Sequence, residues 1–134
     1  LSTSYEKGEK KMNKRIFIVD DDPFWTAMLS KILSDMDSCN VLTFTNGTDC
    51  VRNLHLNPEI VFLDYKMEDM NGLEVLGRIK DYYPGIKVVF CTGYEDLGVA
   101  VNAISNGSFD YLLKGNATRR ELDAIIENVT ENQA

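Results

Sequence analysis

Cysteine, proline, histidine and tryptophan are all scarce in this chain of 134 residues, at three, three, one and one. Cys39, Cys50 and Cys91 are odd in number and show no C-x-x-C spacing, so neither a disulfide framework nor a zinc site is indicated and buried or incidental thiols are the plain reading. Few prolines beside a hydrophobic content of 44% argue against disorder. Missing too is any apolar run near the ~20 residues needed to span a bilayer, and there is no signal-peptide core; we read the protein as cytoplasmic, without membrane contact. Positive charge is in deficit, with 14 Lys and Arg against 21 Asp and Glu, a formal net charge of -7. Nonspecific nucleic-acid binding rests on neutralising phosphates with Lys and Arg, so this segment is not expected to bind nucleic acid directly. The length fits one domain.

What the chain does have is a regular alternation of strand and helix signals after a polar, lysine-rich stretch, 1–13, which reads as a flexible leader or as residues added to the natural chain. The remainder, 14–134, reads as one domain. Ile16 to Val19 is the first strand, and Pro23 suits the first turn of a helix carrying Phe24, Met28, Leu29, Ile32 and Leu33 and ending near Met36. Val41 to Phe44 is a second strand, and Asn46-Gly47 turns into a helix containing Val51, Leu54 and Leu56, closed by Pro58. Ile60 to Leu63 forms the third strand; the helix over Leu73, Val75, Leu76 and Ile79 stops at Tyr83-Pro84-Gly85. A fourth strand at Ile86 to Cys91, a helix from about Leu97 to Asn106, a fifth strand at Asp110 to Leu113 and a helix from Thr118 to about Val129 complete the pattern. Thr118-x-x-Glu121 marks the last start as a capping box. Parallel strands need crossover connections, and the helices supply them. The expected fold is therefore α/β, a doubly wound, flavodoxin-like five-stranded parallel sheet with strand order 2-1-3-4-5 and five helices.

Four polar signatures follow apolar runs: Asp20, Asp21 and Asp22 after the first strand, Asp64 after the third, Thr92 after the fourth and Lys114 after the fifth. Singly, each has an ordinary explanation as a helix cap, a turn former or a surface residue. Jointly, on buried parallel strands, they converge at one edge of the sheet, where open α/β folds bind ligands. Paired carboxylates can hold Mg²⁺, which takes one or two protein carboxylates plus phosphate oxygens. Asp64 would complete that site and could attack phosphorus. Lys114 and Thr92 would then serve as a point charge and a hydrogen-bond donor toward phosphoryl oxygens.

Asp20-Asp21 after the first strand, Asp64 followed by Met67 and Gly72, Thr92-Gly93, and Tyr111-Leu112-Leu113-Lys114 together resemble the receiver domain of bacterial two-component response regulators, over about Lys14 to Asn132. The resemblance implies that Asp64 accepts a phosphoryl group from a histidine kinase or phosphotransfer protein, making this a phosphoacceptor signalling domain and not an enzyme acting on a separate substrate. It implies Mg²⁺ as cofactor, held by Asp21, by Asp20 largely through water, by Asp64 and by the backbone carbonyl of Lys66. Thr92 and Tyr111 are the implied switch pair, altering a surface formed by the fourth helix, fifth strand and fifth helix, where partners or a second copy would dock. Either the receiver stands alone, or an effector domain follows it in a longer regulator.

This chain departs from the family pattern where Glu68 and Gly115 replace two prolines, the second after Lys114 in a bond typically cis; glycine points to a trans bond here. Residues two beyond Asp64 and Thr92, which flank the path of attacking water in the family, are Lys66 and Tyr94. His55 reads as a helix-surface residue, Glu95 and Asp96 as leading into the fourth helix, and Trp25 as a packing residue near the metal site. A haloacid dehalogenase-like phosphatase would need a second acid two residues after Asp64, where Lys66 stands. A flavodoxin would need a Thr, Ser and Gly-rich phosphate loop where Asp20-Asp21-Asp22 stands.

Overall fold

A computed structural model describes residues 14–36, 39–93 and 97–131. The leader, Tyr94, Glu95 and Asp96 lie outside the described residues. Strands β1 (Lys14–Val19), β2 (Cys39–Phe44), β3 (Ile60–Asp64), β4 (Lys87–Thr92) and β5 (Asp110–Leu113) alternate with helices α1 (Pro23–Ser34), α2 (Gly47–Arg52), α3 (Gly72–Tyr82), α4 (Leu97–Ser105) and α5 (Arg119–Glu131). The sheet is parallel with order β2-β1-β3-β4-β5, as the sequence pattern predicts.

Alternation of side chains along the buried strands divides the core in two. Ile16, Ile18, Ile60, Phe62, Val89, Cys91 and Leu112 face one way and pack with Trp25, Leu29 and Leu33 of α1 and Leu122, Ile125 and Val129 of α5. Phe17, Val19, Val61, Leu63, Val88 and Phe90 face the other way, onto Cys50 of α2, Val75, Leu76 and Ile79 of α3 and Ala103 of α4. Strands covered on both faces can be apolar throughout, which is why β3 reads as a continuous hydrophobic run up to its terminal acid.

Several boundaries differ from the sequence expectation. Helix α2 ends at Arg52, and Leu54 and Leu56 belong to a separate 3₁₀ turn, because the chain closes through Asn53 and then enters the left-handed region at Asn57 (φ 60°). Helix α1 stops at Ser34 with Asp35 as its C-cap, two residues before Met36, which is buried beneath it. β1 and β2 begin earlier than their apolar runs because Lys14 pairs with Cys39 and Arg15 with Asn40; backbone pairing extends past the point where hydrophobicity fades. Conversely, Asp64 and Thr92 are the last residues of β3 and β4, paired in the ladder, rather than the first residues beyond them. Thr118 caps α5 through its hydroxyl, which accepts from the Glu121 N–H at 3.1 Å. No described peptide bond is cis, so Lys114-Gly115 is trans, and Lys114 opens a 3₁₀ turn to Asn116.

Candidate functional site

β1 lies between β2 and β3, so the crossovers leaving β1 and β3 run in opposite directions and open a crevice at the C-terminal ends of these strands. The acidic triplet divides its labour there. Asp22 is the N-cap of α1, its carboxylate accepting from Phe24 N–H at 3.0 Å and Trp25 N–H at 3.4 Å, ahead of Pro23 in the first turn. Asp20 is buried, with its N–H donating to the Phe44 carbonyl at 3.0 Å and its carboxylate accepting from the Asp22 N–H at 2.9 Å. Asp21 faces solvent beside them.

Carboxylate oxygens of Asp20, Asp21 and Asp64 all lie within 4.8 Å of one another. Lys114 Nζ is 2.8 Å from Asp20 Oδ2 and 3.3 Å from Asp64 Oδ1. Burial, and then the adjacent Asp20 carboxylate, pushes the Asp64 carboxyl from an ordinary 3.8 up to about 6 despite the ammonium. Asp20 is raised as well, chiefly by burial, with hydrogen bonds from Lys114 and Asp22 only partly offsetting it. Burial alone would lower Lys114, yet the two carboxylates outweigh it and hold the ammonium above its usual value. One cation thus serves two acids that a third acid approaches, leaving negative charge in excess.

Thr92, only 1% exposed, has a hydroxyl with no hydrogen-bond partner. A buried polar atom left unpaired costs free energy, so an oxygen acceptor arriving at this strand end would be favoured by that hydroxyl. Tyr111 on β5 is 43% exposed, its backbone in register with Phe90 of β4. Lys66 shares a cleft of about 370 Å³ with Asp21, Tyr65, Met67, Glu68 and Asn71. The predicted residues Asp20, Asp21, Asp64, Lys114 and Thr92 therefore gather at neighbouring strand ends, and Lys66 lines the adjoining cleft. His55 is exposed, with Nδ1 3.0 Å from the Arg52 carbonyl oxygen, a surface residue as read from sequence. Burial raises the Cys50 thiol to about 12 and Cys91 higher still, which suits inert core thiols.

One participant was not foreseen. Asp69, in the loop after Asp64, accepts hydrogen bonds from the N–H groups of Gly47 at 3.2 Å, Thr48 at 2.9 Å and Met70 at 2.8 Å, tying that loop to the first turn of α2. These bonds, those from Thr48 foremost, hold its carboxyl down at about 2. Because the folded value lies below the ordinary one, this tie is fully present above pH about 4 and is lost as pH falls toward 2. Asp69→Ala should accordingly lower the thermal midpoint at neutral pH, and its difference from the parent should shrink between pH 4 and 2 in a calorimetric series. A constant difference across that range would assign the loss to something other than the charged cap.

The sequence matches the family described as response regulator receiver domain over residues 16–127. It is 35% identical over 112 residues to the chemotaxis protein CheY of Listeria monocytogenes, covering 83% of this chain and 94% of that protein. Against the DNA-binding transcriptional regulator NtrC of Proteus hauseri it is 34% identical over 100 residues, 74% of this chain but 21% of the relative. Among solved structures, the receiver domain of NtrX from Brucella abortus superposes with a TM-score of 0.80 at 28% identity, covering 87% of this chain and 98% of that one. A response regulator receiver domain protein from Clostridium thermocellum gives 0.81 at 29% identity, with coverages of 90% and 96%. By sequence and by fold together, the chain belongs to the response regulator receiver domain family of two-component signalling systems.

Proposed function

We propose that Asp64 is the phosphoacceptor of this receiver, taking a phosphoryl group from the phosphohistidine of a sensor histidine kinase or a phosphotransfer protein. The observation that carries this reading is the meeting of Asp20, Asp21 and Asp64 within 4.8 Å beside Lys114 and the unpartnered Thr92 hydroxyl. In the transfer, the bond from phosphorus to the donor imidazole nitrogen breaks as one forms to an Asp64 carboxylate oxygen, and the nitrogen keeps the electron pair. Lys114 meets the oxygens that gain charge, and Thr92 donates to one of them.

A donor set of three carboxylates fits a hard cation such as Mg²⁺. Asp21, Asp64 and the Lys66 carbonyl would hold it, with Asp20 supporting through water. Bound Mg²⁺ supplies positive charge that offsets the clustered acids and the incoming phosphoryl group.

Thr92 and Tyr111 form the switch pair in this reading. Leu97, Val101 and Ile104 of α4 are exposed together with Tyr111 of β5, apolar surface of the kind that docks an output partner or a second copy through α4, β5 and α5. Residues 14–134 are taken as the receiver unit, cytoplasmic, acting as a signalling domain with no direct nucleic-acid contact; its output partner is a separate protein if the receiver stands alone, or an effector domain if it belongs to a longer regulator.

Incubation with Mg²⁺ and acetyl phosphate, followed by intact mass and peptide mapping, tests the proposal. The expected result is one phosphoryl group per chain, on Asp64, dependent on Mg²⁺ and severely reduced in Asp21→Ala. Labelling elsewhere, or none in the parent protein, would overturn it.

A further inference from the structure

We infer that Trp25 is a positioning residue that holds Lys114 against Asp20 and Asp64 through its indole face, a role that rests on the phosphoacceptor reading only for its kinetic consequence. Lysine is a point charge on a flexible four-carbon stem, and ordering it costs rotamer entropy. The following backbone fixes the main chain of Lys114, through a 3₁₀ turn closed by Ala117 N–H to the Lys114 carbonyl at 3.4 Å and by Thr118 N–H to the Asn116 carbonyl at 2.9 Å, but that leaves the four-carbon side chain free to rotate. Even so, Lys114 reaches both carboxylates, at 2.8 and 3.3 Å, with its side chain only 25% exposed.

The ring of Trp25 adds a further constraint to those two ion pairs. Lys114 Nζ stands over it, 5.3 Å from the ring centroid, within the distance at which an ammonium is attracted by the negative face of an aromatic ring. Trp25 is itself fixed, 5% exposed and packed in the core layer shared by α1 and α5. Its backbone is pinned by the Asp22 cap at the start of α1. The same short segment thus provides an acid that Lys114 pairs with, Asp20, and a rigid wall that the ammonium rests on. Burial strengthens that contact, because a cation–π attraction grows as water is excluded. Aliphatic packing alone would occupy the same space without attracting the charge.

The test compares the parent with Trp25→Phe, which keeps an aromatic face, and Trp25→Met, which is flexible and apolar but has none. In the parent, without Mg²⁺ or phosphodonor, the Lys114 Hε proton resonances should be shifted upfield by the ring current. That shift should persist in reduced form in Trp25→Phe and vanish in Trp25→Met. Under Mg²⁺ and acetyl phosphate, Trp25→Met should label about fivefold more slowly, and Trp25→Phe within about twofold of the parent. Unshifted Hε resonances in the parent would overturn the inference without any variant, as would equal labelling rates for Met and Phe at matched folded fractions. A parent protein that is not labelled at all would refute the phosphoacceptor reading while leaving the resonance positions to decide on Trp25.

Discussion

Asp64→Asn is expected to abolish phosphoryl uptake and, at the same time, to make the metal-free protein more stable at neutral pH. Asparagine keeps the shape of the side chain but removes the nucleophilic oxyanion and a charge that the site holds at a cost. The Asp64 carboxyl titrates at about 6 in the fold against an ordinary 3.8. Native protein therefore binds more protons than unfolded chain between those values, stability falls as pH rises through that window, and above pH 6 the whole penalty is present. A shift of this size corresponds to at most about 3 kcal/mol. That shift is already net of the Lys114 pair, and part of it is recovered as the site relaxes around the charge, so a gain of roughly 1–2 kcal/mol, or several degrees in midpoint, is the working figure. Thermal scans from pH 4 to 8 without Mg²⁺ check it: the variant should exceed the parent at pH 7 and converge with it near pH 4. Adding Mg²⁺ should then stabilise the parent more than the variant, since a ligand adds stability in proportion to its affinity for the folded state. Retained labelling of Asp64→Asn would remove Asp64 from its assigned role. A variant less stable than the parent at pH 7 would show that the Lys114 pair outweighs the burial of charge.

Gly72→Ala should be strongly destabilising although it places a better helix former in the first turn of α3. Propensity alone would favour alanine by up to about 1 kcal/mol. At this position, however, a Cβ would overlap the Asp64 carbonyl oxygen and lie 2.9 Å from both the Tyr65 Cα and the Phe90 Cζ. Two of those neighbours are backbone of the acceptor strand and its exit, which cannot yield by changing rotamer. Gly72 also donates its N–H to the Tyr65 carbonyl at 2.9 Å, so the close approach is part of how the loop closes behind Asp64. Overpacking of this kind costs about 3 kcal/mol, a midpoint loss on the order of 10 °C. Labelling of the folded fraction should slow as well, because the end of β3 must move. Gly77→Ala, on the same helix with open space around its Cα, is the control and should be neutral or stabilising. If both substitutions behaved alike, the crowding at Gly72 would have no energetic weight.

Both substitutions bear on residues that the sequence made visible for different reasons. Asp64 was legible because it ends a run of four buried apolar residues, and β3 has this form because α/β packing covers it on both faces. Thr92 and Lys114 were found by the same rule, and the β2-β1-β3-β4-β5 order is one that short right-handed crossovers permit. Helix α2 was read as too long because Leu54 and Leu56 continue a plausible apolar face; only the backbone shows that Asn57 has turned left-handed. Asp69 gave no sign, since its partners Gly47 and Thr48 lie more than twenty residues away and are backbone donors, which carry no side-chain signature. Trp25 was placed near the metal site but read as packing. Its attachment to Lys114 needed the distance across the sheet edge, from the start of α1 to the end of β5.

The position of β1, first in sequence yet flanked by β2 and β3, also sets an order of assembly. During synthesis the chain can pair β1 with β2 early, but Asp64 joins Asp20 only when β3 has been added, and Lys114 comes some fifty residues later. Long-range parallel pairing of this kind is slow, because loops must close before contacts reward them. On the proposed reading, the acceptor site is complete only once the fifth strand has brought Lys114 to Asp20 and Asp64.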